Sequence, residues 1–267
     1  MLTRKDISHS LEKLGLKKGD ICLFHSSFKS LGEVKGGAAS VIGAFEDVIG
    51  ISGTLVAPTL SQTDFLNSYK TWNLDKPSDV GYLTEYFRKL PGVLRSDQAT
   101  HSVAARGALA WELTHEHTAF GPRPCPFGEY AFCDSSPWYK MYRLDAKVVF
   151  IGIDLVYNTL KHLVEGMFVQ RLLDNADPSK RPQLTARLRT FDRLGTEDEG
   201  VWPFYNGKKM QEHLESLGLV SRVDCGGAAL RMISAASSCD AALQEISLHP
   251  DQWYKNSTLE WINDCKR

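Results

Sequence analysis

The chain has 267 residues, with 31 Lys+Arg against 32 Asp+Glu and a formal net charge of -1. Hydrophobic residues at 43% and charged residues at 24% match an ordinary globular protein and exclude a disordered or fibrous chain. The length suits one large domain or two small ones, and the balanced charge offers no global field for gathering nucleic acid or an anionic membrane.

In chain order, Ile7, Leu11 and Leu14 recur at helical spacing and predict a helix over 3–14, with Gly15 as its stop. ICLFH (21–25) is a continuous apolar run and predicts a buried strand. A loop holding Ser26, Ser27, Ser30, Val34, Gly36 and Gly37 leads into a helix over 38–50, and TLVAP (54–58) predicts the next strand. Strand, helix, strand with short connections is the pattern of an α/β unit. PSDVG (77–81) and FGPRPCPFG (120–128) read as loops, and an apolar helix is expected over about 105–116. KVVFIGI (147–153) predicts a buried strand and TLKHLVEGMFVQRLL (159–173) a helix. LTARLRTFDRL (184–194) partly alternates, which predicts a half-exposed strand carrying cationic side chains. Helices are expected over 207–217 and 238–248, with VSRVD and AALRMIS between them as a pair of strands. The expectation is a single-domain α/β protein with a mixed sheet flanked by helices.

No apolar stretch near the N-terminus is long enough for a signal peptide, and no window reaches the roughly 18 apolar residues of a membrane span. The six cysteines have no C-x-x-C spacing, so the expectation is a reducing cytoplasm, with no disulfide framework and no zinc site. His115 and His117 are two apart and would point in different directions on a helix. There is no G-x-S-x-G elbow, and Arg181, Arg187, Arg189 and Arg193 lack the interleaved aromatics of a nucleic-acid stripe. The tract Glu197-Asp198-Glu199 reads as a solvated loop.

Three constellations can carry chemistry. His25-Ser26-Ser27, with Ser30, Val34, Gly36 and Gly37, ends a strand just before a helix, where backbone N–H groups and hydroxyls suit a phosphate. Those residues serve equally well as plain turn and cap residues. Thr100-His101-Ser102-Val103 is a polar cluster that reads either as part of an elongated ligand site or as a helix cap. Asn158-Thr159 and the His162–Glu165 pair fall on the first turns of a helix after a strand. Residues three apart share a helix face, and a carboxylate on one imidazole nitrogen leaves the other as a proton acceptor. A buried pair that is merely hydrogen-bonded accounts for the same spacing.

Together these segments resemble the aminoglycoside 3-N-acetyltransferase family, of the antibiotic N-acetyltransferase fold rather than the GNAT fold. The series H-S-S, G-G, T-H-S-V-A-A and N-T-x-x-H-x-x-E occurs in family order within residues 19–165. The resemblance implies an acyltransferase with acetyl-CoA as co-substrate and no metal. It implies cofactor contacts from His25, Ser26, Ser27, Ser30, Val34, Gly36, Gly37, Thr100, His101, Ser102 and Val103. It also implies His162 and Glu165 as catalytic residues, with Asp64, Asn158, Thr159 and Glu165 toward the acceptor. The expected division of one domain over 1–267 puts cofactor-binding elements mainly in 19–61 and 95–107, the catalytic helix in 158–173 and acceptor-side elements in 174–235. A small-molecule amine is the expected partner, with no nucleic acid and no membrane, for a monomer or homodimer. Cys125 stands where the family usually has a serine-like residue. Lys180, Arg181, Arg187 and Arg189 on the acceptor side suggest an alternative acceptor, an amino sugar or sugar nucleotide of surface-polysaccharide synthesis.

Overall fold

In the computed structural model, residues 1–61, 67–191 and 201–267 are described. Seven strands form one sheet in the order β3-β4-β2-β1-β5-β7-β6: β1 (Ile21–Ser26), β2 (Thr54–Pro58), β3 (Leu94–Arg95), β4 (Val103–Gly107), β5 (Lys147–Ile151), β6 (Ser221–Cys225) and β7 (Ala228–Ser234). The central β2-β1-β5 trio is parallel, whereas β4, β3, β7 and β6 extend it by antiparallel pairing. The trio comprises the three continuous apolar runs of the sequence, because a strand covered on both faces has no side on which polar residues are favoured.

Alternation along these strands divides the interior into two cores. Ile21, Leu23, Val56, Val148 and Phe150 face one of them, and Cys22, Phe24, Leu55, Ala57, Val149 and Ile151 face the other. Helices α1 (Arg4–Leu14), α2 (Gly37–Ile49) and α3 (Tyr82–Arg88) cover the second core through residues such as Leu11, Phe45 and Phe87. The first core is closed by α4 (Ala110–Thr114), α5 (Pro137–Arg143), α6 (Leu160–Asn175), α7 (Arg181–Thr190), α8 (Gly207–Ser216), α9 (Ala235–Leu248), α10 (Pro250–Trp253) and α11 (Asn256–Lys266). Helix α1 has the capping box formed by Thr3 and Asp6 and stops at Gly15, as its periodicity predicted.

Two expectations are corrected. Residues 181–190 form a helix, not a half-exposed strand. Pro182 sits in its first turn, Leu184 and Leu188 are buried one turn apart, and Ala186 is exposed. The second correction concerns the helix expected over 105–116. Residues 103–107 pair with β2 as a strand, Pro58 opposite Val103, and only Ala110–Thr114 is helical. The cluster at Thr100 to Val103 therefore enters a strand rather than capping a helix. The tract Glu197-Asp198-Glu199, Arg193 and Asp64 lie outside the described residues.

Candidate active site

The carboxyl ends of β1, β2 and β5 meet at one edge of the sheet, and the amino end of antiparallel β4 joins them there. The helix after β1 packs on one face and the helix after β5 on the other, which opens a crevice between these neighbouring strands. A cavity of about 310 Å³ occupies this edge, lined by His25, Ser26, His101, Asn158, Thr159 and His162 among others. A larger cleft of about 620 Å³ near Arg95, Trp111 and His117 contains none of the expected site residues. Its His117 has both ring nitrogens bonded, to Ser96 Oγ and to the Ala131 carbonyl.

His162 stands in the first turn of α6. Its Nδ1 lies 2.7 Å from Glu165 Oε2, and the other carboxylate oxygen accepts the Tyr205 N–H at 3.2 Å. Glu165 is fully buried, so these two donors replace the water that the carboxylate gives up. Rings surround the imidazole, with centroids at 4.7 Å for Phe127, 5.6 Å for Phe204, 5.8 Å for Phe132 and 6.0 Å for His101. Phe127 arrives on the proline-rich loop, and Gly166 is what lets that loop close on α6. A Cβ at Gly166 would lie 3.0 Å from Arg123 Cδ and 3.1 Å from the Pro124 carbonyl oxygen. Burial pushes the His162 imidazole well below its usual pKa, with Lys161 adding to the effect. The same burial pushes the Glu165 carboxyl up, opposed by Lys161 and by the Tyr205 N–H. With Nδ1–H donated to the Glu165 carboxylate, Nε2 keeps its lone pair, as a proton acceptor requires.

The remaining expected residues divide between the cavity and its supports. His25, Ser26, His101, Asn158 and Thr159 line the cavity. Asn158 also caps α6, its Oδ1 accepting the Leu160 N–H at 3.1 Å. Ser27 donates its N–H to the Ile151 carbonyl at 2.9 Å, and Ser30 Oγ donates to the Ser27 carbonyl at 2.6 Å, folding the loop on itself. Val34 is bridged to Leu2. Gly36 and Gly37, both at positive φ, open α2, whose N-terminus has no side-chain cap and no acidic residue in its first turn. Thr100 Oγ1 lies 2.9 Å from His101 Nδ1. Ser102 and Val103 turn into the sheet: Ser102 Oγ donates to the Thr59 carbonyl at 2.9 Å, and the Val103 side chain is fully buried.

Sequence reasoning missed the aromatic cage and the Tyr205 donor, and it noted Arg95 only as preceding the Thr100 cluster. The Arg95 guanidinium donates to Thr59 Oγ1, Ser102 Oγ and the carbonyls of Thr59, Leu74 and Lys76, tying the 72–76 segment to β2 and β4. These acceptors are scattered over more than 40 residues, so no local motif announces them.

The family model for aminoglycoside 3-N-acetyltransferases matches residues 23–247. The chain belongs to that family. It is therefore an acyltransferase of the antibiotic N-acetyltransferase fold, the class expected from its sequence. Among similar proteins is the SPbeta prophage-derived aminoglycoside N(3')-acetyltransferase-like protein YokD of Bacillus subtilis (strain 168), 28% identical over 96% of this chain and 93% of its own. Aminoglycoside N(3)-acetyltransferase IX of Micromonospora chalcea is 32% identical, the match spanning 62% of each chain. Among solved structures, aminoglycoside acetyltransferase AAC(3)-IVa as apoenzyme superposes with a TM-score of 0.72 at 20% identity, covering 99% of this chain and 98% of that one. AAC-IIIb in binary complex with CoASH gives 0.71 at 21% identity, over 96% and 98%.

Of the four cations expected on the acceptor side, three are engaged locally. Arg187 pairs with Asp264 at 2.9 Å, Arg189 with Glu129 at 3.5 Å, and Arg181 donates to the Asp174 and Ala176 carbonyls. None of them, nor Lys180, lines the cavity at His162. Cys125 packs beside the site, its thiol pushed up to about 12 by burial and therefore a poor nucleophile. Among the described residues, no helix is long and apolar enough to cross a membrane.

Proposed function

We propose that this acyltransferase moves the acetyl group of acetyl-CoA onto the 3-amino group of an aminoglycoside, with His162 as general base and Glu165 as its orienting carboxylate. The observation that carries this reading is the His162–Glu165 bond of 2.7 Å at a cavity shared by both cofactor-side and acceptor-side residues. The donor is acetyl-CoA, which supplies an activated acyl carbonyl on a thiol leaving group. The uncapped N-terminus of α2 and the exposed Lys29 and Lys35 fit its phosphates, and Ser26, Ser27 and Thr100 to Val103 frame the way to His162.

An alkyl amine has a pKa of ~10 and is mostly protonated at pH 7, so the chain must supply a site for its last proton as the new bond forms. His162 Nε2 takes that proton. Glu165, buried and bonded to the far side of the ring, stabilises the resulting imidazolium. Phe127, Phe132 and Phe204 exclude water around the ring, which strengthens that charge pairing. Asn158 and Thr159 flank the base on the acceptor side. Transfer is direct, and Cys125, its thiol held protonated, forms no acyl-enzyme. Six free cysteines fit a reducing compartment, the cytoplasm.

The test is thiol release from acetyl-CoA against parallel panels of aminoglycosides and amino sugars. Gentamicin-type amines are expected to turn over, and His162→Ala to lose about 10²–10⁴-fold in kcat with CoA affinity retained. No turnover with any aminoglycoside while amino sugars react would overturn the acceptor. Full activity of His162→Ala would overturn the base.

A further inference from the structure

Two of the three histidines at the cavity, His25 and His162, have opposite surroundings. His162 is held by a carboxylate on Nδ1. His25, at the end of β1, is only 6% exposed, and its Nε2 has no hydrogen-bond partner. Its ring is stacked on Phe150 across the β1–β5 ladder, with centroids 5.3 Å apart and an interplanar angle of 12°. The imidazole is therefore fixed in orientation without being satisfied. A buried polar group left unmatched is costly, and a bare acceptor nitrogen is less so than a stranded N–H. Leaving the shut-in Nε2 as the bare nitrogen puts the ring proton on Nδ1, and the residue lines the cavity.

We propose that His25 is a second catalytic histidine, which donates a hydrogen bond to the carbonyl oxygen of the bound acetyl thioester. This rests on the acetyl-transfer reading above. As the amine nitrogen bonds to the acyl carbon, electron density moves onto that oxygen, and the His25 N–H meets it. The carbon–sulfur bond then breaks. The amine proton goes to His162 Nε2 and on to the departing sulfur, and His25 keeps its own proton throughout. Burial pulls the His25 pKa down to about 4, so the ring stays neutral at working pH and acts as a donor, not as a competing base. Paired groups whose environments drive their proton affinities apart divide acid–base labour in this way. The stacked ring also needs no reorientation as charge develops, the condition under which one such donor counts most.

The test combines turnover with the infrared carbonyl band of bound acetyl-CoA carrying ¹³C at the acyl carbon. In the wild-type protein the band is expected below its position in free acetyl-CoA. His25→Ala returns it toward the free value and lowers kcat about 10²-fold, a loss well beyond any change in affinity for CoA, which lacks the acyl carbonyl. His25→Gln restores part of both, and it replaces the alanine variant if that fails to fold. His162→Ala loses rate as expected for the base yet keeps the shifted band, which separates failure of this assignment from failure of the base. An unshifted wild-type band overturns the proposal, as does a kcat of His25→Ala within threefold of wild type. A loss of rate matched by a loss of CoA affinity overturns it too.

Discussion

Replacing Glu165 with glutamine keeps the side chain's volume and removes its charge, so it isolates what the carboxylate does for His162. The carboxylate accepts two hydrogen bonds, from His162 Nδ1 at 2.7 Å and from the Tyr205 N–H at 3.2 Å. A glutamine has one acceptor oxygen. If that oxygen faces Tyr205, the amide NH₂ faces Nδ1, and the ring must carry its proton on Nε2, where it cannot serve as a base. If the oxygen faces Nδ1, the amide and the Tyr205 N–H confront each other as two donors. A charge-assisted bond is worth about 1.5–3 kcal/mol, and an uncompensated buried donor costs about 1–3 kcal/mol. Together they amount to about 2.5–6 kcal/mol against the imidazolium-forming step, or about 10²–10⁴-fold in kcat. Stability should move by less than about 1 kcal/mol, because relief from burying a charge offsets the lost bond. Thiol-release kinetics, CoA affinity and thermal melting of Glu165→Gln measure all three. A kcat within threefold of wild type would refute the reasoning, as would a rate loss that merely tracks lower CoA affinity.

Three other perturbations address different parts of the molecule. Gly152 has φ +62, and a Cβ there would fall 1.9 Å from Ser30 Oγ, so Gly152→Ala should cost about 1–3 kcal/mol and weaken CoA binding by displacing the serine loop. Unchanged melting and CoA titration would count against that account. Phe127→Ala should admit water beside His162 and raise its pKa, moving the acid limb of the pH–rate profile to higher pH; a limb that stays put would contradict the role given to the cage. Finally, His25 and His117 are both held by burial at about 4 when folded, against ~6.5 when unfolded. The unfolded chain therefore takes up protons first, and stability present above pH 6.5 should fall between pH 6.5 and 4, at up to about 1.4 kcal/mol per pH unit for each histidine. Denaturant titrations of wild type and His117→Gln across that range should show the slope reduced in the variant.

Much of this architecture is legible in the sequence for identifiable reasons. The runs at 21–25, 54–58 and 147–153 stand out because strands covered on both faces admit few polar residues. The His162–Glu165 spacing is legible because three residues on a helix bring two side chains together. Residues 184–188 misled because a separation of four satisfies both a strand face and one helical turn, and Pro182, which favours a first helical turn, was the available signal. Residues 103–107 misled because alanines favour helices, and only pairing with β2 makes them a strand. The cage and the Tyr205 donor come from loops 30 to 43 residues from His162 on either side, where no periodicity exists to read.

The division of the interior into two cores has a consequence for how the site tolerates change. The serine loop and α2 are anchored in one core, while α6 and its base are anchored in the other. The five-residue β1–β5 ladder is the seam that sets the spacing between them. Repacking either core leaves the register of that seam intact, so each half of the site can drift in sequence independently. The surfaces that face differing acceptors are thus free to diversify while the gauge between acyl carbon and base stays constant.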